Sequence, residues 1–166
     1  DPYTGRVITF HRGQKTSSAV QIDHVIALSN AWQTGAQNIP LQQRVALAND
    51  PLNLLAVDGP ANQQKSDADA ATWLPANTSF RCAYVARQVS VKKKYRLWVT
   101  PAEKDAMTRV LRGCPNQPVP DVANAPIVKA PTGMTKTPAT KPRTSTPKIA
   151  HTTSRPKPPR NRTAPK

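Results

Sequence analysis

Composition changes abruptly at Pro115, and that break limits what this chain can fold. Twelve of its eighteen prolines lie between Pro115 and Lys166, with ten Lys or Arg, one acid and no aromatic residue. Such a segment buries too little apolar surface to offset the entropy of ordering it, so 116–166 reads as an extended, disordered Pro/Thr/Lys-rich basic tail. A folded domain is expected from residues 1–115. The tail carries +9 of the formal +15, leaving +6 on the domain. This balance favours polyanionic partners: a nucleic acid held through counterion release, or an anionic cell-envelope polymer. A solubilising spacer fits the tail equally well. An aromatic content of 5% argues against a protein that works chiefly by stacking bases. No apolar run approaches the roughly 20 residues needed to span a bilayer.

Within the domain the densest signal runs from Ile22 to Trp73. Val20 to Leu28 is apolar except for Gln21, Asp23 and His24, which reads as a strand. Asn49-Asp50-Pro51 is a turn, Leu52 to Val57 a second strand, Asp58-Gly59-Pro60 another turn, and Ala61 to Ala71 a polar helix. Between the strands, a short helix at Ser29 to Gln33 breaks near Gly35, and Pro40 to Ala48 forms a second with Leu41, Val45 and Ala48 on one face. Arg6 to Arg12 alternates as a short strand. Asn77 to Tyr95 is a longer helix, and Thr100-Pro101-Ala102-Glu103 opens a last one that stops at Gly113. The fold class is therefore α+β: a short antiparallel hairpin plus helix, with additional helices. Trp32 and Trp73 read as core anchors rather than stacking platforms.

An Asp and a His sit side by side in the first strand. Successive side chains on a strand point to opposite faces, so a bulge or twist is expected there to aim both at one cleft. Hydrolysis of a phosphodiester needs a base for water and charge relief on the phosphate. A histidine supplies the first. One hard cation supplies the second, and a carboxylate with an amide oxygen is a sufficient protein share of its ligands. Asp23 and Asn62 as metal ligands, with His24 as base, form that minimal set.

The blocks IDHVIAL, NDPLNLLAVD and NQQKSD, ending in Trp73-Leu74-Pro75, resemble the HNH endonucleases, also called His-Me-finger or ββα-metal nucleases. The nearest branch is the secreted bacterial one related to the nuclease domain of GmrSD-type restriction enzymes, and the similarity spans roughly Asp1 to Pro115. The resemblance implies a ββα-metal core and a metal-dependent endonuclease of low sequence specificity that leaves 5′ phosphates. It makes Asp23 the first metal ligand, His24 the general base and Asn53 the brace of the loop carrying that base. Asn62 becomes the second ligand and Lys65 a basic residue near the scissile phosphate. Asn in place of the final His of the motif shifts the expected ion towards one Mg²⁺, with Mn²⁺ or Ca²⁺ behind it. The substrate that the resemblance implies is DNA, with RNA as the other candidate. The chain opens at Asp1 with no Met, basic or apolar leader run and so reads as a mature or excised product; family members usually carry further cysteine-containing sequence upstream, so part of the natural fold is expected to be missing.

Arg12, Lys15, Arg44, Lys92 and Lys93 are candidates for contacting nucleic acid. His11 is a second candidate base or ligand but reads better as an exposed strand-end residue, and Asp67 and Asp69, candidate extra ligands, read better as complementing a helix or pairing with Lys65. If the last two helices pack antiparallel, Cys82 and Cys114 meet, which makes a disulfide reasonable. With the family resemblance this favours a monomer secreted or attached to the cell envelope. The rival reading is a non-catalytic, secreted, basic protein that binds DNA or the envelope.

Overall fold

The structure, a computed structural model, describes residues 1–120. The expectations for the tail lie at 121–166, outside the described residues.

Strand β1 (Val20–His24) pairs antiparallel with β2 (Leu54–Asp58), Val20 opposite Asp58 and His24 opposite Leu54. β1 starts where expected but stops short of its apolar run, and β2 is shifted along its own, because two side chains divert the backbone into turns. Asn53 captures the residues after His24: its carbonyl accepts the Val25 N–H and its side-chain oxygen the Ile26 N–H, each at 2.8 Å. Asp50 holds Leu52, Asn53 and Leu54 in a turn by accepting their N–H groups, so β2 starts two residues late.

Helix α3 (Gly59–Lys65) lies across one face of the hairpin. Asp58 caps it, accepting the Ala61 N–H at 2.9 Å, and Pro60 sits in its first turn. It is shorter than the expected 61–71. Ser66, at φ 49°, ends it, and Asp69 then accepts the Ala71 and Thr72 N–H groups and bends the chain into a turn. A side chain on Gly59 would collide with the Ser18 carbonyl oxygen, so glycine permits α3 to start this close to β1.

No strand forms over Arg6–Arg12. The sheet has two strands among the described residues, and without a third neighbour an alternating segment has nothing to pair with. Val7 is 96% exposed as a result. Between the strands lie α1 (Leu28–Gln33) and α2 (Leu41–Asn49). The buried residue of α2 is Leu47, while Leu41 is exposed, so the sequence-derived face of that helix is wrong by part of a turn.

Helices α4 (Arg81–Tyr95) and α5 (Pro101–Arg112) pack together. One core gathers Tyr3, Val25, Val57, Tyr84, Ala106 and Met107, and a second gathers Ile26, Leu47, Val91 and Tyr95. Thr100 caps α5 through the Glu103 N–H, but the Glu103 side chain turns inward instead of closing the capping box. It lies 2.9 Å from Lys92 Nζ, and both groups are buried. No helix among the described residues is long and apolar enough to cross a membrane.

Cys82 and Cys114 are joined, with Cα atoms 6.2 Å apart and a sequence separation of 32. Closing a loop of that size should contribute about 2–4 kcal/mol. Reduction, or the pair Cys82→Ser and Cys114→Ser, is expected to lower the urea midpoint accordingly. An unchanged midpoint would show that the bond adds nothing in solution.

Candidate active site

Asp23 leaves β1 towards α3 and is 5% exposed. Its two carboxylate oxygens meet different donors. The Tyr3 hydroxyl donates to Oδ2, and Lys65 Nζ donates to Oδ1 at 2.9 Å. The same ammonium donates to the His24 carbonyl oxygen at 2.8 Å, and Lys65 has no exposed surface. A single cation thus ties the carboxylate of Asp23 to the backbone of His24. Lys65 is neither a solvated helix residue nor, in this arrangement, a group that reaches a phosphate. It is drawn in because its partner is a buried carboxylate.

Tyr3 arrives from a turn closed by Gly5 N–H donating to Asp1 O at 2.9 Å. Trp73 and Tyr84 pack edge-on against it, with ring centroids 5.0 and 5.6 Å away. Burial first, then Tyr84 and Asp23, push the Tyr3 phenol far above its usual range, so it remains a protonated donor to Asp23.

Asn62 lies one turn before Lys65 on α3. Its Nδ2 donates to Gln21 Oε1 at 2.9 Å. Its Oδ1 accepts no hydrogen bond among the described residues. Gln21 and Asp23, two apart on β1, share the face that α3 covers. Asp23 and Asn62 carry the oxygen types that a hard, hydrated divalent cation takes. Asn62 offers a free amide oxygen, and each Asp23 oxygen, with one donor on it, keeps acceptor capacity. Among the described residues no three His, Cys, Asp or Glu side chains cluster as metal ligands, so an ion held here would take most of its ligands from water. The Lys65 charge on Asp23 opposes the ion and weakens its binding.

His24 closes the strand in regular register, without the expected bulge. Asp23 and His24 therefore leave opposite faces of the hairpin. The imidazole reaches α2 instead, where Nε2 lies 2.8 Å from the Ala48 carbonyl oxygen. A carbonyl can only accept, so Nε2 carries the hydrogen, and in the neutral ring Nδ1 holds the free lone pair. Asn53, fully buried, clamps the turn after His24, with Oδ1 on the Ile26 N–H and Nδ2 on the Ile26 and Leu47 carbonyls. The backbone carrying the imidazole and the helix anchoring its ring are thus held by one side chain.

A family described as GmrSD restriction endonucleases, C-terminal domain, matches residues 2–110. The chain belongs to that family. A protein of Arthroderma benhamiae described as an uncharacterized secreted protein is 42% identical over 115 residues, covering 68% of this chain and 53% of the relative. The chain thus spans about half the length of the curated relative it matches. No solved structure matches.

The remaining residues singled out from sequence scatter over this GmrSD-type domain. Arg12, Lys15 and Lys93 are exposed, and His11 is an exposed residue of the N-terminal coil rather than of a strand. Lys92 is 3% exposed and paired with Glu103, so it is a core residue and not a nucleic-acid contact. Neither Asp67 nor Asp69 binds Lys65: Asp67 accepts from Ser29 Oγ at 3.3 Å, and Asp69 caps its own turn. Trp73 is a core anchor as expected, but Trp32 is 50% exposed and carries the Arg44 guanidinium 5.5 Å above its ring. Sequence reasoning missed Tyr3, Gln21 and the Ala48 carbonyl. The only available signal for Tyr3 was an aromatic residue inside an otherwise polar turn. Ala48 acts through its backbone and leaves no signal at all.

All three tyrosines of the chain are buried, and all are shifted upward. Burial is the leading cause for each. Asp23 adds to it at Tyr84, and the hydrogen bond to Asp50 adds to it at Tyr95. A folded pKa above the unfolded value, about 10, contributes stability that is complete below that pH and is lost as pH rises above it. Tyrosinate absorbance is therefore expected to appear only together with alkaline unfolding followed by circular dichroism. A fraction ionising near pH 10 in folded protein would contradict the buried Tyr3–Asp23 bond or the Tyr95–Asp50 bond.

Proposed function

We propose that this domain is a metal-dependent endonuclease of the HNH, or ββα-metal, type, hydrolysing DNA with low sequence specificity. The observation that carries the reading is the tethered imidazole. The bond from Nε2 to Ala48 leaves Nδ1 of His24 to take a proton from the water that attacks phosphorus, on a backbone immobilised by Asn53. Asp23 and the free Oδ1 of Asn62 would hold the cation, Mg²⁺ ahead of Mn²⁺ or Ca²⁺. When bound, that ion supplies Lewis-acid charge relief on the phosphoryl oxygen and the departing oxygen. Lys65 and Tyr3 are positioning residues that orient the Asp23 carboxylate. Asn53 positions His24 and touches no substrate in this scheme. The cysteine pair and the description of the fungal relative support an extracytoplasmic location.

Incubating supercoiled plasmid with the protein tests the reading. Nicking in Mg²⁺ that disappears in EDTA is expected, and a parallel structured-RNA substrate reports the sugar preference. Retarded plasmid bands without any nicking would replace the enzyme by a nucleic-acid-binding protein.

A further inference from the structure

We infer that Trp32 and Arg44 form a stacking subsite for an unpaired nucleobase next to the catalytic histidine. The inference rests on the nuclease reading for the identity of the polymer. A tryptophan serving the core hides its ring, yet Trp32 is half exposed, and Leu28, one turn earlier on α1, is 44% exposed. The Arg44 guanidinium lies over the indole, fixed by a bond of 2.9 Å from Nη1 to the Ile39 carbonyl. A half-exposed indole beside a guanidinium offers the π face and the cationic group that a base and its phosphate accept.

Charge points the same way. Residues 25–49 contain no Asp or Glu, and Arg44 has no carboxylate partner among the described residues. Position supplies the third argument. Arg44 precedes Ala48 by four residues on α2, and the Ala48 carbonyl anchors the His24 ring. Four residues of α-helix span about 6 Å. The pair therefore sits one helical turn from the anchor of the proposed base, where a nucleotide flanking the scissile phosphate would pass. One stacking position of this kind is compatible with an aromatic-poor chain, because it selects the form of the substrate and does not supply the bulk affinity.

The test uses the full chain carrying His24→Ala, in EDTA, with a fluorescein-labelled single-stranded 12-mer and the duplex of the same sequence read by anisotropy. Adding Trp32→Leu keeps apolar bulk on α1 and removes the π face. Single-strand affinity is expected to fall about tenfold, duplex affinity by less than twofold, and the log–log salt slope to stay unchanged. Trp32→Phe should fall between parent and Leu. Arg44→Ala should weaken single-strand binding and flatten its salt slope by about 0.7. Single-strand binding by Trp32→Leu within twofold of the parent, or equal losses for both forms, overturns the subsite, provided circular dichroism shows a folded protein. No oligonucleotide binding by the parent overturns it too. Because nothing is cleaved in this assay, a failure of plasmid nicking leaves the result standing, and a nicking enzyme indifferent to Trp32 loses the subsite but keeps its activity.

Discussion

Replacing His24 with alanine is expected to slow plasmid nicking by about 10²–10⁴-fold, the usual contribution of a positioned general base. The fold should survive. The side chain is partly exposed, and its one hydrogen bond, to Ala48, is worth about 0.5–1.5 kcal/mol. Oligonucleotide affinity should stay within a few-fold of the parent, because the imidazole contributes a proton acceptor and not a phosphate clamp. Added free imidazole should restore part of the lost rate by supplying the missing proton acceptor. A variant that nicks within tenfold of the parent in Mg²⁺ would remove His24 from the reaction and with it the mechanism drawn from its Nε2 tether.

Lys65→Met is expected to destabilise the domain by about 3–5 kcal/mol, the range for deleting one partner of a buried ion pair and leaving the other charged. Lys65 has no exposed surface, and its ammonium satisfies both the Asp23 carboxylate and the His24 carbonyl. Methionine fills much of the volume, so the loss is one of charge and hydrogen bonding rather than of packing. Asp23→Asn removes the uncompensated charge, and the double variant should therefore lose less than the sum of the two single changes. Urea unfolding of the four proteins closes the cycle. A Lys65→Met domain within 1 kcal/mol of the parent would mean that the ammonium is solvated in solution, and Lys65 could then reach a phosphate after all.

Some of the site was readable from residue order. An apolar run interrupted by Asp23-His24, two turns and a polar segment beginning near Asn62 carry enough periodicity and turn chemistry to announce strand, strand and helix. What periodicity could not supply was where each run would stop. β1 ends at His24 because an asparagine almost thirty residues later claims the next backbone amides. The strand proposed for Arg6–Arg12 had the right alternation and no neighbour to pair with. Lys92 looked like its neighbour Lys93 in every local respect, and it is buried because Glu103 waits beside it.

The sequence by itself determined the chemistry on offer: an imidazole, a carboxylate, an amide, an excess of basic side chains and a change of composition near Pro115. Residue type and local pattern carry that information without reference to the fold. Only the tertiary structure decided how those groups are used. It put Lys65 and Tyr3 on Asp23, turned His24 towards Ala48 and left Trp32 in solvent under Arg44. Each of these depends on a partner from a distant segment or on a backbone carbonyl. Long-range pairing is set by the burial of unlike neighbours, and no short window of sequence encodes it.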